Sequence, residues 1–447
     1  MKKALICLFF LSSFGSFAQS QILEEYIAEG ISSSLALKQQ NLQYEKTVKD
    51  IDIAKSNLFP KITLAPTYSL AAGGRRLEFP IGDLLNPVYN TLNKLTQSNS
   101  FPNVENVNQL LAPNNFHDTK VSFQYPIFNP DIKNNIALQK EMLGSENAKK
   151  MATEFELKYN IELAYIQYLQ ATEAIKVYEN ARVLLQDLVV LNQKLVNNKV
   201  ALKDVLLSSE YEVDKINEQL LSAQKNARVA KAYFNFLLNQ DFERDIKIDS
   251  VFIKESPIVP SLSVLNQSAF DKRPEFEQLE SGLRINNRLL TLQEKNAKSP
   301  SVYLGGNTGF QGFGYSFSNQ AYLVAQVGLQ WDIFHGNEKK HKIQQTKISK
   351  SILDTKIEEA KNQVSFQVNQ NYEEVKNAMD GYLITQKGSI KTEKILEIVN
   401  SRYKNGQALF IEVTKAQSDD ITAKLSTNIS KYNMWLKWAG LKKVSGI

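Results

Sequence analysis

Two periodicities divide the chain. From Leu157 the apolar positions run Ile161, Ala164, Tyr168, Ala171, Ile175 and Tyr178, in steps of four and three. That spacing is the seam of a coiled coil. A second run, Ile421, Leu425, Asn428, Tyr432, Trp435 and Ala439, steps in the same way. Elsewhere the period is two. Ile62, Leu64, Pro66, Tyr68 and Leu70 alternate with small or polar neighbours, and so do Val121, Phe123, Tyr125 and Ile127. Leu323, Ala325, Val327, Leu329, Trp331 and Ile333 do so again, while 301–311 is glycine-rich and weaker as a strand.

The spacing predicts long helices over 131–199 and 338–404, each broken and followed by a second, over 202–240 and 409–440. Shorter helices are expected over 22–57 and 270–297. Strands are expected at 61–71, 118–128, 301–311 and 321–334. Proline placement supports this, because a proline in a helix interior costs about 3 kcal/mol. All 12 prolines fall within 60–130 or 257–300. A helix over 131–199 would be roughly 100 Å long at 1.5 Å per residue. Asn129 or Asp131 could cap its start, and Gly406 suits a left-handed helix end.

Each predicted strand has the length of a tilted membrane strand, about 10 residues, with one apolar and one mostly polar face. Tyr125, Phe128, Trp331 and Phe334 stand at strand ends, where membrane-facing aromatics form an interfacial girdle. Soluble hairpins packed on helices have the same alternation. Four strands cannot close a barrel, and an open sheet edge in lipid is forbidden, so membrane strands here require several chains to share one barrel.

The pattern is duplicated. Val121-Ser-Phe-Gln-Tyr-Pro-Ile-Phe128 returns as Val327-Gly-Leu-Gln-Trp-Asp-Ile-Phe334, and Asn192-Gln-Lys-Leu-Val-Asn-Asn198 with Asp204-Val205 as Asn400-Ser-Arg-Tyr-Lys-Asn-Gly406 with Glu412-Val413. A unit of about 200 residues is too long for a solenoid repeat and points to two equivalent halves, 19–250 and 251–447.

Residues 1–18 read as a signal peptide, with Lys2 and Lys3, an apolar stretch and Ser16-Phe-Ala18 as cleavage site. The one cysteine, Cys7, lies within it, so the remainder has no disulfide, thiolate site or lipoprotein cysteine. No later apolar run reaches about 18 residues, the length of a membrane helix. A net charge of +6, with bases and acids interspersed, leaves no nucleic-acid footprint. Mean hydropathy is −0.31. His117, His335 and His341 lack metal-ligand spacing, the glycines of 305–314 lack a P-loop lysine, and no nucleophile–base pair is evident. No cofactor, metal or enzyme activity is expected. Residues 73–115 are a long insert between the first two strands, with a short helix near Leu84 to Leu95.

Leu58-Phe-Pro60 before the first strand, Arg273-Pro-Glu275 opening the second unit and Tyr403-x-x-Gly406 at the last break complete a pattern covering 20–442. It resembles the outer-membrane efflux channel (TolC) family. That resemblance implies a mainly α fold with a membrane β-barrel part: a homotrimer giving four strands per chain to one twelve-stranded barrel, above a helical tunnel through the periplasm. It implies a passive exit duct for a tripartite efflux pump or type I secretion system, working with a periplasmic adaptor (membrane fusion) protein and an inner-membrane pump. The breaks at Asn197, Asn198, Asn405 and Gly406 then become adaptor-docking tips. The constriction and gate fall on Asp204, Tyr403, Gly406, Glu412 and Lys415, with Tyr403 bonded to Asp204. Two departures are visible: Lys415 stands where the family has a second acid, and Ala408 where it has an arginine. The competing reading is a soluble periplasmic coiled-coil scaffold or adaptor, but that predicts one helical hairpin, not two equivalent ones.

Overall fold

The computed structural model describes residues 21–447; the expected signal peptide lies outside them. In chain order the elements are α1 (Gln21–Ser33), α2 (Leu35–Ser56), β1 (Lys61–Ser69), β2 (Arg76–Phe79), α3 (Ile81–Thr96), β3 (Val107–Leu110), β4 (Phe116–Phe128), α4 (Pro130–Asn197) and α5 (Lys203–Leu237). There follow α6 (Val251–Lys254), α7 (Leu262–Lys272), α8 (Pro274–Asn296), β5 (Ser301–Phe313), β6 (Ala321–Gln330), α9 (Glu338–Lys404) and α10 (Phe410–Ser445). The alternation of predicted strands and long helices is therefore present in full. Among the described residues no helix is long and apolar enough to cross a membrane.

The 68 residues of α4 make about 100 Å of helix. Pro130 sits at its first position, where the missing N–H is harmless, and Asn129 Oδ1 accepts from Asp131 N at 2.9 Å. Asn129, not Asp131, is the cap. Two expected helices are divided. Ser34 separates α1 from α2, its hydroxyl accepting from Leu37 N at 3.2 Å, as an N-cap does. Arg273, held extended before Pro274, separates α7 from α8.

The chain forms two compact units, each drawn from both sequence halves. The first comprises residues to 47, 141–285 and 349–447, and is helical. Its core gathers Ile161, Tyr165, Ile166 and Leu169 of α4, Phe234 of α5, Val368 and Val375 of α9, and Tyr432 and Met434 of α10. Of the expected α4 seam, Ile161 and Ala164 are buried and the rest only partly so, whereas Tyr165, outside that seam, is fully buried. Its hydroxyl donates to Lys247 O at 2.8 Å and accepts from Asp249 N at 3.0 Å, fastening the segment after α5. Arg273 is similarly occupied: it forks onto Glu275, reaches Gln367 Oε1 at 2.9 Å and Val444 O at 3.4 Å. The Arg-Pro-Glu motif is thus a clamp joining the α7–α8 break to α9 and α10.

The second unit, 48–140 and 286–348, carries a four-stranded sheet in the order β1-β4-β5-β6, antiparallel throughout. β1 and β6 are its edges. Pro66 lies on edge strand β1, and Pro126 stands where the β4–β5 register slips between Pro126 and Phe128, the two settings that tolerate a strand proline. The insert folds as a two-stranded ribbon, β2 with β3, around α3.

Two strand ends differ from expectation. β1 stops at Ser69 and β6 at Gln330, so Trp331 and Phe334 lie beyond the strand. The cause is the partner: Gln330 pairs with Ser301, the first residue of β5, which Pro300 precedes. Beyond Gln330 the chain turns toward α9, with Lys339 Nζ donating to Asp332 O at 2.8 Å.

Candidate functional site

The first candidate surface is the sheet. Its registers put Leu64, Val121, Thr308 and Leu323 in one cross-strand row, and Ile62, Phe123, Gly306 and Ala325 in the next. Tyr125, Leu304 and Val327 form a third, and Val302 and Leu329 extend the same face. This face is apolar and lies open: Leu64 is 66%, Val327 70% and Leu329 66% exposed. The phase expected from the alternation is the phase observed. Gly306 belongs to it for steric reasons, because the Phe123 ring lies where its Cβ would stand. That cross-strand contact explains why β5 reads weakly as a strand. The opposite face carries Lys61, Thr63, Lys120, Gln124, Asn307, Gln326 and Gln330. There Asp118 accepts from Lys120 and, at 3.0 Å, from the Tyr322 hydroxyl. Of the expected girdle, Tyr125 and Phe128 are exposed within β4, and Trp331 and Phe334 are exposed beyond β6.

The second candidate is the pair of turns in the helical unit. α4 ends with Lys199 left-handed (φ 57°), Val200 N bonding Leu195 O at 2.9 Å and Lys199 N bonding Val196 O at 3.0 Å. α9 ends with Gly406 left-handed (φ 71°), Gln407 N bonding Arg402 O at 2.8 Å and Gly406 N bonding Tyr403 O at 2.9 Å. Both are Schellman closures. α5 and α10 close alike, at Asn239 and Gly446. All these helix ends superpose at an offset of 207 residues, as do the extended residues Leu202 and Leu409 that start α5 and α10. The sequence echo at 208 is therefore one residue out here: Asp204 corresponds to Ile411 and Glu412 to Val205. Asn197 and Asn198 precede the turning residue Lys199, and Asn405 precedes Gly406.

Between the turns lies a small core of Leu188, Tyr403 and Val413, flanked by Leu191, Val399, Ala408 and Phe410. Within it the Tyr403 hydroxyl donates to Asn192 Oδ1 at 2.7 Å. This corrects the expected partner. Asp204 is exposed in the first turn of α5, whereas Asn192 is fully buried on α4. Burial raises the Tyr403 pKa, with the Asn192 bond opposing it. Asn192 Nδ2 has no hydrogen-bond partner among the described residues. Position 192 was conspicuous only as the head of the repeated motif, with nothing to mark it as a hydrogen-bond partner.

Glu412 is also occupied. Its Oε1 accepts from Leu409 N at 3.0 Å, an N-terminal cap for α10, and its Oε2 lies 3.7 Å from Arg402 Nη1. Arg402 in turn donates to Gln407 O at 2.9 Å. Lys415 does not oppose Glu412; it pairs with Asp419 at 3.5 Å. The guanidinium of this turn comes from Arg402, while Ala408 helps fill the core beneath it.

No family profile and no curated relative matches the sequence. Solved structures do match over nearly the whole chain. The CmeC outer membrane channel of Campylobacter jejuni is 14% identical, with a TM-score of 0.70 over 96% of this chain and 86% of that one. The outer membrane protein VceC of Vibrio cholerae is 14% identical, TM-score 0.69, over 95% and 96%. The MtrE outer membrane channel of Neisseria gonorrhoeae, in its open state, is 16% identical, TM-score 0.71, over 95% and 89%. At such low identity and such full coverage, what is shared is the architecture, and the chain has the fold of these outer-membrane channels.

Proposed function

We propose that this protein is the outer-membrane channel of an efflux or secretion system, a passive duct with its helices in the periplasm. The observation that carries the reading is the sheet: one continuous exposed apolar face, a polar opposite face, and unpaired edges at β1 and β6. An apolar face suits lipid, but open edges do not, because each unsatisfied backbone group in hydrocarbon costs several kcal/mol. Joining β6 of one copy to β1 of the next removes the edges, and three copies give a closed barrel of twelve strands. The polar face then lines the passage. A soluble scaffold would leave the same apolar face in water.

The duct has no energy source of its own in this reading, so a periplasmic adaptor and an inner-membrane pump supply it. Residues 1–18 would direct export, and 19–250 and 251–447 would be the two halves of a duplicated unit. The turns at 197–202 and 405–409 would be the adaptor-docking ends. The Tyr403–Asn192 bond and the Arg402–Glu412 pair would hold them closed.

Fractionation with planar-bilayer recording tests the proposal. The full-length protein should appear in the outer-membrane fraction, run unboiled as a detergent-stable oligomer, and conduct ions. Recovery in the soluble periplasmic fraction as a non-conducting species would refute it.

A further inference from the structure

The insert between β1 and β4 is a built module. Along one side of α3, Asn86 grips residue 104 twice, Nδ2 donating to Val104 O at 2.9 Å and Oδ1 accepting from Val104 N at 2.8 Å. One heptad on, Asn93 grips Phe101 in the same way, at 2.8 and 3.1 Å. Asn106 Oδ1 accepts from Asp83 N at 3.1 Å, and the Tyr89 and Phe101 rings meet at 5.7 Å. Residues 101–106 are therefore strapped along one face of the helix. On another face Leu84, Val88 and Leu95 lie within about 40° of each other at 100° per residue. They are 62%, 52% and 77% exposed. On the adjoining ribbon Leu77 and Phe79 point to one face and are also about half exposed. Exposed apolar side chains grouped along one helix face in this way mark an interaction site.

We propose that this stripe packs against the same insert of a neighbouring copy, forming a collar at the outer mouth of the barrel. The inference rests on the shared-barrel reading above. Two observations select the occupant. The insert springs from β1, the edge strand that must meet the next copy, so it stands at the seam between chains. Its charges balance: Arg75, Arg76 and Lys94 against Glu78, Asp83 and Glu105. An anionic lipid surface would be met by a cluster of basic residues, and none is present. A second copy requires only apolar complementarity, and a closed ring supplies it at high effective concentration.

Photo-crosslinking of the full-length protein in membranes tests this, with p-benzoylphenylalanine at Val88 or at Asn90, on the opposite side of α3. Mixing isotope-labelled and unlabelled chains separates adducts between copies from adducts within one. The probe at Val88 should yield chain-to-chain adducts mapping to residues 74–112, several-fold above the probe at Asn90. Adducts to lipid, to another protein or within one chain, or no adducts while the unboiled protein still runs as an oligomer, would overturn the collar and leave the channel reading standing. A protein that runs as a monomer would overturn both.

Discussion

A single buried hydroxyl ties the two helical turns together. The Tyr403–Asn192 bond joins α9 to α4 in a buried setting, and a neutral bond of this kind contributes about 0.5–1.5 kcal/mol. Tyr403→Phe should therefore raise resting conductance with oligomer yield unchanged, and Asp204→Ala should leave conductance as it was. Single-channel recordings check both. The bond also has a pH signature. Because burial raises the Tyr403 pKa above its unfolded value, its stabilising contribution is complete below about pH 10, the ordinary tyrosine value, and is lost as pH rises through the folded value. Resting conductance should climb under alkaline conditions, and the Phe variant should lose that part of the climb. Lys431 works in the opposite direction. Burial lowers its pKa against the pull of Glu173, so its charged form weakens the helical core below its unfolded pKa. Lys431→Met should raise the unfolding temperature at pH 7, by a margin that shrinks as pH approaches 10.

Legibility at this scale followed residue chemistry. Gly406 was readable because a left-handed turn favours glycine, and Gly406→Ala should cost about 1 kcal/mol by thermal unfolding. Its counterpart Lys199 adopts the same conformation with a side chain that gives no hint of it. Tyr403 was legible only through the family resemblance, which puts a tyrosine three residues before Gly406. Its partner stands 211 residues away and could not be found from local pattern. Glu412 was visible as a charge, but its position three residues after an extended Leu409 makes it a cap first.

At the scale of elements, period was a reliable guide and ends were not. The two-residue alternation placed Leu329 on the apolar face and Gln330 on the polar one, and the registers agree. Leu329→Arg should cost about 2–4 kcal/mol and impair membrane insertion. Gln330→Arg should insert normally and change conductance. Yield in the outer-membrane fraction checks the pair, and the reverse outcome would mean that the sheet meets lipid with its other face. Trp331 and Ile333 continue the same alternation, yet no strand forms there because β5 has already begun at Ser301. Periodicity describes what a segment could do; the partner's length decides where pairing stops.

For the whole molecule, the duplication explains why two hairpins close with the same geometry 207 residues apart, while the compact units cut across the halves. Long helices and alternating strands carry enough repeated signal to be read without a structure. Which strands form the open edges, β1 and β6, becomes visible only once strand order is known; in lipid those edges would need partners from other copies. Native mass spectrometry of the protein released from outer membranes in mild detergent counts the chains that meet edge to edge. A complex of three chains is expected; a monodisperse single chain that still conducts in planar bilayers would mean that no barrel is shared between copies.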